Sequence, residues 1–193
     1  MKLRSLVFCL AFAVATIAAH AQVGVYVNPI GIHVSNSETD TGPFAFLGDN
    51  TKGRTFYGVN IGGYYEFFQN QNIVASVDLR DGFVKSNNAS LNSFLVGGRV
   101  ASKPLANSFK PYVQLSIGLG TTKPPTSTLR LNRFEYDILG GVDYTLAKHV
   151  DFRMVELGYG SVSTVNSGDF GGTNSLPASH LFTVSTGLVF RIP

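Results

Sequence analysis

The chain has 193 residues, 44% of them hydrophobic and 12% aromatic, with one cysteine, no tryptophan and a formal charge of +3. That length suits one domain, and the charge, +1 once Lys2 and Arg4 are set aside with the first 21 residues, excludes the strongly basic balance of a nucleic-acid-binding protein. Cys9 also lies in those first residues, so no disulfide within the rest of the chain can hold its fold.

Met1-Lys2-Leu3-Arg4 is a basic start, Leu6 to Ala19 is an apolar run, and Ala19-His20-Ala21 is a small-x-small cleavage pattern. Together they predict a secretory signal peptide over residues 1–21, leaving 22–193 as the mature domain. A retained membrane helix fits less well, because the run is short for a span and ends in a cleavage signature. After Gln22 no apolar run is long enough for a helix to cross a membrane. A membrane-spanning form would then have to be a closed barrel, the other structure that satisfies every backbone group in lipid.

The rest of the chain alternates with period two, the mark of strands with two different faces. Strand one, Gln22 to Ser35, carries Val23, Val25 and Val27 on one face and Ile30, Ile32 and Val34 in the opposite phase. Asn28-Pro29 sits at the change, and a proline there predicts a bulge that restores the face. The polar, Gly-rich stretch Asn36–Arg54 reads as a long loop. Strand two, Thr55 to Phe68, places Tyr57, Val59, Ile61, Tyr65 and Phe67 on the apolar face against Asn60, Tyr64 and Glu66. Gln69 to Asn72 is a short turn.

Strand three, Ile73 to Val84, sets Ile73, Ala75, Val77 and Leu79 against Ser76, Asp78 and Arg80, and the loop Lys85–Ala89 follows. Strand four, Ser90 to Ser102, opposes Phe94, Val96 and Val100 to Arg99. After a turn at Lys103 to Ser108, strand five, Phe109 to Thr122, alternates Val113, Leu115, Ile117 and Leu119 with Tyr112, Gln114 and Ser116. Lys123–Asn132, with Pro124-Pro125, is another loop.

The clearest alternation runs from Arg133 to Leu146: Phe134, Tyr136, Ile138, Val142, Tyr144 and Leu146 oppose Arg133, Glu135, Asp137, Asp143 and Thr145. A tight hairpin at Ala147-Lys148-His149 leads to strand seven, where Val150, Phe152 and Met154 oppose Asp151 and Arg153. Glu156 can join the charged face only if the phase slips, so a bulge is expected at Met154-Val155. Thr164–Ser179 is the last long loop. Strand eight, His180 to Ile192, lines up Phe182, Val184, Leu188, Phe190 and Ile192.

These strands are about twice the usual five to six residues. Connections after the odd strands are mostly long and those after the even strands short. That combination predicts an all-β fold: a closed antiparallel up-and-down transmembrane β-barrel of about eight strands, with short turns at one rim and long loops at the other. The apolar faces would meet lipid, and the opposite face would fill the lumen with Glu66, Asp78, Arg80, Arg99, Arg133, Glu135, Asp137, Asp143, Asp151, Arg153 and Arg191. Buried charges must pair, so the expectation is a salt-bridged plug; a narrow porin-like pore lined by the same residues is the competing reading.

Ser76-Val77-Asp78-Leu79-Arg80, Phe94 to Arg99 (FLVGGR), Lys110-Pro111-Tyr112-Val113, Gly140 to Tyr144 (GGVDY) and Val150-Asp151-Phe152-Arg153, in this order after a signal peptide, resemble the small outer-membrane β-barrel family that contains the OmpA transmembrane domain and OmpX. The resemblance covers the whole mature chain. It implies a bacterial outer-membrane location, the barrel assembly machinery as a partner in insertion, outer-membrane lipid and lipopolysaccharide as surroundings, and a structural or surface-interaction role in which the loops meet an extracellular ligand. The chain departs from the family where Phe190 is followed by Arg191-Ile192-Pro193, since members usually end on the aromatic, and in stopping at its last strand without a peptidoglycan-binding part.

Other chemistry is sparse. No HExxH, P-loop, GxGxxG or Cys/His metal spacing occurs, so neither a cofactor, a metal nor an enzyme activity is expected. His33 and His180 fall near the outer ends of neighbouring strands with Ser35, Ser179 and Asp169 close by, the minimum for a rim lipid-modifying enzyme; polar loops often carry such residues. Asp40, Asp49, Asn50 and Asp169 could meet divalent cations that bridge lipopolysaccharide, but solvated loop accounts for them. A soluble lipocalin-type barrel would have similar strands with the apolar face turned inward.

Overall fold

The computed structural model of the protein describes residues 22–40, 45–48, 50–106, 108–163 and 178–192. Eight strands make it up: β1 (Val23–Asp40), β2 (Thr51–Gln69), β3 (Ile73–Ser86), β4 (Ala89–Ser102), β5 (Phe109–Lys123), β6 (Leu131–Ala147), β7 (Val150–Ser163) and β8 (Ala178–Ile192). Each pairs antiparallel with the next, and β8 pairs back onto β1 to close a barrel. The expected signal peptide and residues 164–177 of the loop Thr164–Ser179 lie outside the described residues.

Apolar side chains of the alternating pattern point outward. Along β5, Val113, Leu115, Ile117 and Leu119 are all more than half exposed, while Tyr112, Gln114 and Ser116 are buried between them. This is the opposite of a lipocalin-type barrel, which would bury that apolar row.

The bulge at Met154-Val155 is present. Arg153 pairs with Gly187 and Glu156 with Ser185, one residue out of step, so Met154 and Val155 both face out and Arg153 and Glu156 both face in. A second irregularity lies between Glu66 and Phe68 on β2, where Phe67 and Phe68 are both exposed.

The bulge expected at Asn28-Pro29 is absent. From Val23↔Tyr65 to Ser35↔Gly53 the register of β1 on β2 is unbroken, and Pro29 simply turns its ring outward. The consequence is large: Ile30, Ile32 and Val34 do not rejoin the outer face but point into the lumen, buried. Their apolar character is satisfied inside the barrel, so the chain has no need to slip.

Strands also run past the ends that hydrophobicity suggests. β1 reaches Asp40 and β2 begins at Thr51, because backbone pairing at Val34↔Arg54 and Ser35↔Gly53 asks nothing of the side chains. The loop Lys85–Ala89 shrinks to a two-residue turn, Asn87-Asn88, with φ of 42° and 67°. Both residues occupy the left-handed region that tight hairpins require and asparagine tolerates.

Candidate functional site

Because successive residues of a strand face opposite sides, charged residues at every second position of β3, β6 and β7 are aimed at the barrel axis. Midway along it they form a belt of side chains that cross the lumen. Arg80 on β3 reaches Glu156 on β7, diametrically opposite, with two parallel N–H···O bonds of 2.9 Å each. Glu156 also accepts from Tyr112 (2.6 Å), Ser185 (3.0 Å) and Arg153 (3.2 Å). Arg153 continues the chain through Nε to Asp143 at 2.9 Å, and Arg99 donates to the other oxygen of Asp143 at 2.7 Å. Asp78 closes the belt, accepting from both Tyr26 (2.9 and 3.0 Å) and Gln114 (2.8 Å).

Aromatic rings sandwich the guanidiniums. Arg99 lies 4.4 Å from the ring centre of Tyr64 and 4.1 Å from that of Tyr112; Arg153 lies 4.6 and 4.9 Å from Tyr26 and Tyr112. Such placement adds a cation–π attraction that grows when water is absent, and Arg80, Arg99, Arg153, Asp78, Asp143 and Glu156 are all buried. The amide of Asn28, turned to satisfy both its groups, donates to the Val27 carbonyl and accepts from Arg153, each at 3.0 Å.

At the end where β1 begins and β8 finishes, the lumen widens into an open cavity of about 280 Å³. Here Asp151 is held between Lys110 (2.8 Å) and Arg191 (3.0 Å), and the half-buried Glu66 lines the mouth. Toward the opposite end the interior changes character. Ile30, Ile32, Val34, Phe56, Val84, Leu91, Val162 and Leu181 form an apolar cup, and Phe46 and Leu47 of the β1–β2 loop are folded down into it, 2% and 1% exposed. Phe46 stacks on Phe56 with ring centres 5.1 Å apart.

Of the eleven charges assigned to the lumen, seven are in ion pairs: Asp78, Arg80, Arg99, Asp143, Asp151, Arg153 and Arg191. Glu66, Arg133, Glu135 and Asp137 form none among the described residues, although all four stand on the inner face of their strands. The expectation of a lumen filled by a charged network is therefore corrected, since toward the long loops an apolar cluster takes up much of the interior. Tyr57, Val59, Ile61, Tyr65, Phe94, Val96, Leu115, Phe134, Tyr136, Val142, Tyr144, Phe182, Leu188 and Phe190 stand on the outer face of the sheet.

Sequence reasoning left out Tyr26, Lys110 and the apolar cup. Tyr26 follows from its alternation with Val25 and Val27 alone, and Ile30, Ile32 and Val34 of the cup follow once the bulge at Pro29 is not invoked. The rim histidines do not assemble a Ser–His site among the described residues: His33 bonds Thr55 and His180 bonds and stacks on Tyr159, both at 3.0 Å, while Ser179 turns inward to Asn36. Asp49 and Asp169 lie outside the described residues.

Comparison with known proteins gives the same architecture. Neisserial surface protein A superposes with a TM-score of 0.54 at 15% identity, covering 88% of this chain and 97% of that one. Ail, the attachment invasion locus protein of Yersinia pestis, gives 0.51 at 10% identity over 89% and 99%. No curated protein matches the chain. Residues 5–190 match the family model of the outer membrane protein beta-barrel domain, and the chain belongs to that family.

Proposed function

We propose that the protein is exported to a bacterial outer membrane and stands there as a plugged barrel, a structural or surface-interaction protein whose contacts with the exterior are made by the loops at the apolar-cup end. The reading rests on one observation above all: Arg80 and Glu156 bridge the full width of the lumen. Phe46 and Leu47 stop the same passage a second time from the loop side. In this reading the outward apolar rows meet lipid and lipopolysaccharide, the barrel assembly machinery inserts the chain, and an extracellular ligand docks on the loops. No catalytic role is proposed.

The test is single-channel recording from residues 22–193 refolded into planar bilayers, after a gel-shift with and without boiling establishes a folded barrel. A silent, folded barrel is the expected result. Discrete openings that change when Arg99 or Glu135 is neutralised would establish a narrow pore instead.

A further inference from the structure

On one side of the barrel the outer wall changes chemistry in steps near the rim that carries the long loops. Antiparallel pairing sets residues of neighbouring strands side by side, so rows can be followed across β3, β4 and β5. Lys85 is the partner of Ser90, and Ser90 of Lys123. Each stands next in sequence to a buried, inward residue, Val84, Leu91 and Thr122 respectively, which puts all three on the outer face. With strands about 4.8 Å apart, the two lysines are about 10 Å from each other with only a serine between them. Neither forms an ion pair among the described residues.

One row farther from the rim, Phe83, Asn92, Thr121 and Asn132 are successive partners from β3 to β6, and Thr121 donates to Asn132 at 2.7 Å. This row offers amides and a hydroxyl. In the next row, Phe94, Leu119 and Phe134 are all more than half exposed. Asp81 is the outward carboxylate of that row; it lies about 13 Å along the strand from Lys85 and is not paired with it. Across the barrel the same rim reads differently. Ser161, His180, Ser35 and Gly53 are successive partners on β7, β8, β1 and β2, followed inward by Tyr159, Phe182, His33 and Thr55, with no lysine or arginine in either row.

We propose that the outer face of β3, β4 and β5 at this rim binds the phosphorylated headgroup of lipopolysaccharide. The assignment rests on the reading of the chain as an outer-membrane barrel with its long loops outside. Lysine is a point-charge partner for phosphate, and two unpaired lysines side by side complement an anionic headgroup. Their apolar stems lie along the wall and carry the charges to the interface, where a cation on the lipid side of a barrel costs little. The amide and hydroxyl row then meets sugar hydroxyls and amides, and the rows below it meet acyl chains. A simple phospholipid would satisfy the lysines but leave the amide row unused.

The experiment takes residues 22–193 folded in zwitterionic micelles and titrates them with fluorescently labelled lipopolysaccharide, read by anisotropy. Lys85→Gln/Lys123→Gln should weaken binding about tenfold, a difference that high salt erases. Asn92→Ala/Asn132→Ala should weaken it less, and Lys103→Gln/Lys148→Gln, which removes the same charge near the opposite rim, should leave it unchanged. An equal loss in the two lysine pairs, or phosphatidylglycerol competing as well as unlabelled lipopolysaccharide, would overturn the site while the barrel stands. An unaltered chain that forms no heat-modifiable barrel would overturn the membrane reading itself, and the site with it.

Discussion

Replacing Glu156 by glutamine tests whether the lumen belt is sealed from water. The substitution keeps the shape and the acceptor for Tyr112 or Ser185 but withdraws the charge on which Arg80 depends; the next carboxylate, Asp78, lies 3.8 Å from Arg80 Nε. Arg153 is better protected, since Asp143 holds it at 2.9 Å. The loss is therefore that of one fully buried guanidinium left without its bidentate partner, about 3–5 kcal/mol, a large fraction of the roughly 5–15 kcal/mol that holds a typical domain folded. Urea unfolding in detergent micelles, followed by far-UV circular dichroism and by mobility of the unboiled protein, reads this as a lowered midpoint. Pairing it with Arg80→Met should recover much of the loss, because removing both charges removes the desolvation cost as well. A loss for Glu156→Gln below about 1 kcal/mol, the range of an exposed pair, would mean that water reaches the belt and that the plug argument is wrong.

The remaining predictions concern the two surfaces of the barrel wall. Leu115→Arg, midway along β5 on the outer face, should reduce folded barrel in membranes, at a cost of about 2–4 kcal/mol; Gln71→Arg in the β2–β3 turn should not, and equal yields would refute the assigned faces. Phe46→Ala should cost about 3 kcal/mol, at the low end for a buried aromatic because a loop can settle into part of the space. In residues 22–193, which contain no cysteine, a Leu181→Cys reporter on the cup wall should then react faster with an impermeant thiol reagent applied from the loop side. Unchanged reactivity would show that the cup is shut by something other than Phe46.

Much of the wall was legible in the sequence because period two is a local signal. The alternation from Phe134 to Leu146 gave β6 directly, and the demand that Glu156 avoid the outer face gave the bulge at Met154-Val155. Pro29 shows where the same logic fails. Reading every apolar row as outward forced a slip that β1 does not make, because Ile30, Ile32 and Val34 have an apolar partner inside, brought there by Phe46 and Leu47 from the following loop. The pairing of charges was equally hidden. That Arg80 meets Glu156 depends on the stagger of strands around the closed wall, which no stretch of neighbouring residues encodes.

The apolar cup also bears on the order in which the molecule is made. Its walls come from β1, β2, β3, β4, β7 and β8, so the seat for Phe46, begun by Phe56 on β2, is complete only when the last strand has zipped onto the first. The segment carrying Phe46 emerges early from the chain yet must wait for the final hairpin, and contacts so distant in sequence form late. Seating of that one ring would then serve as a timestamp for barrel closure, and a chain stalled before β8 pairs would expose apolar residues on both sides of its unfinished wall.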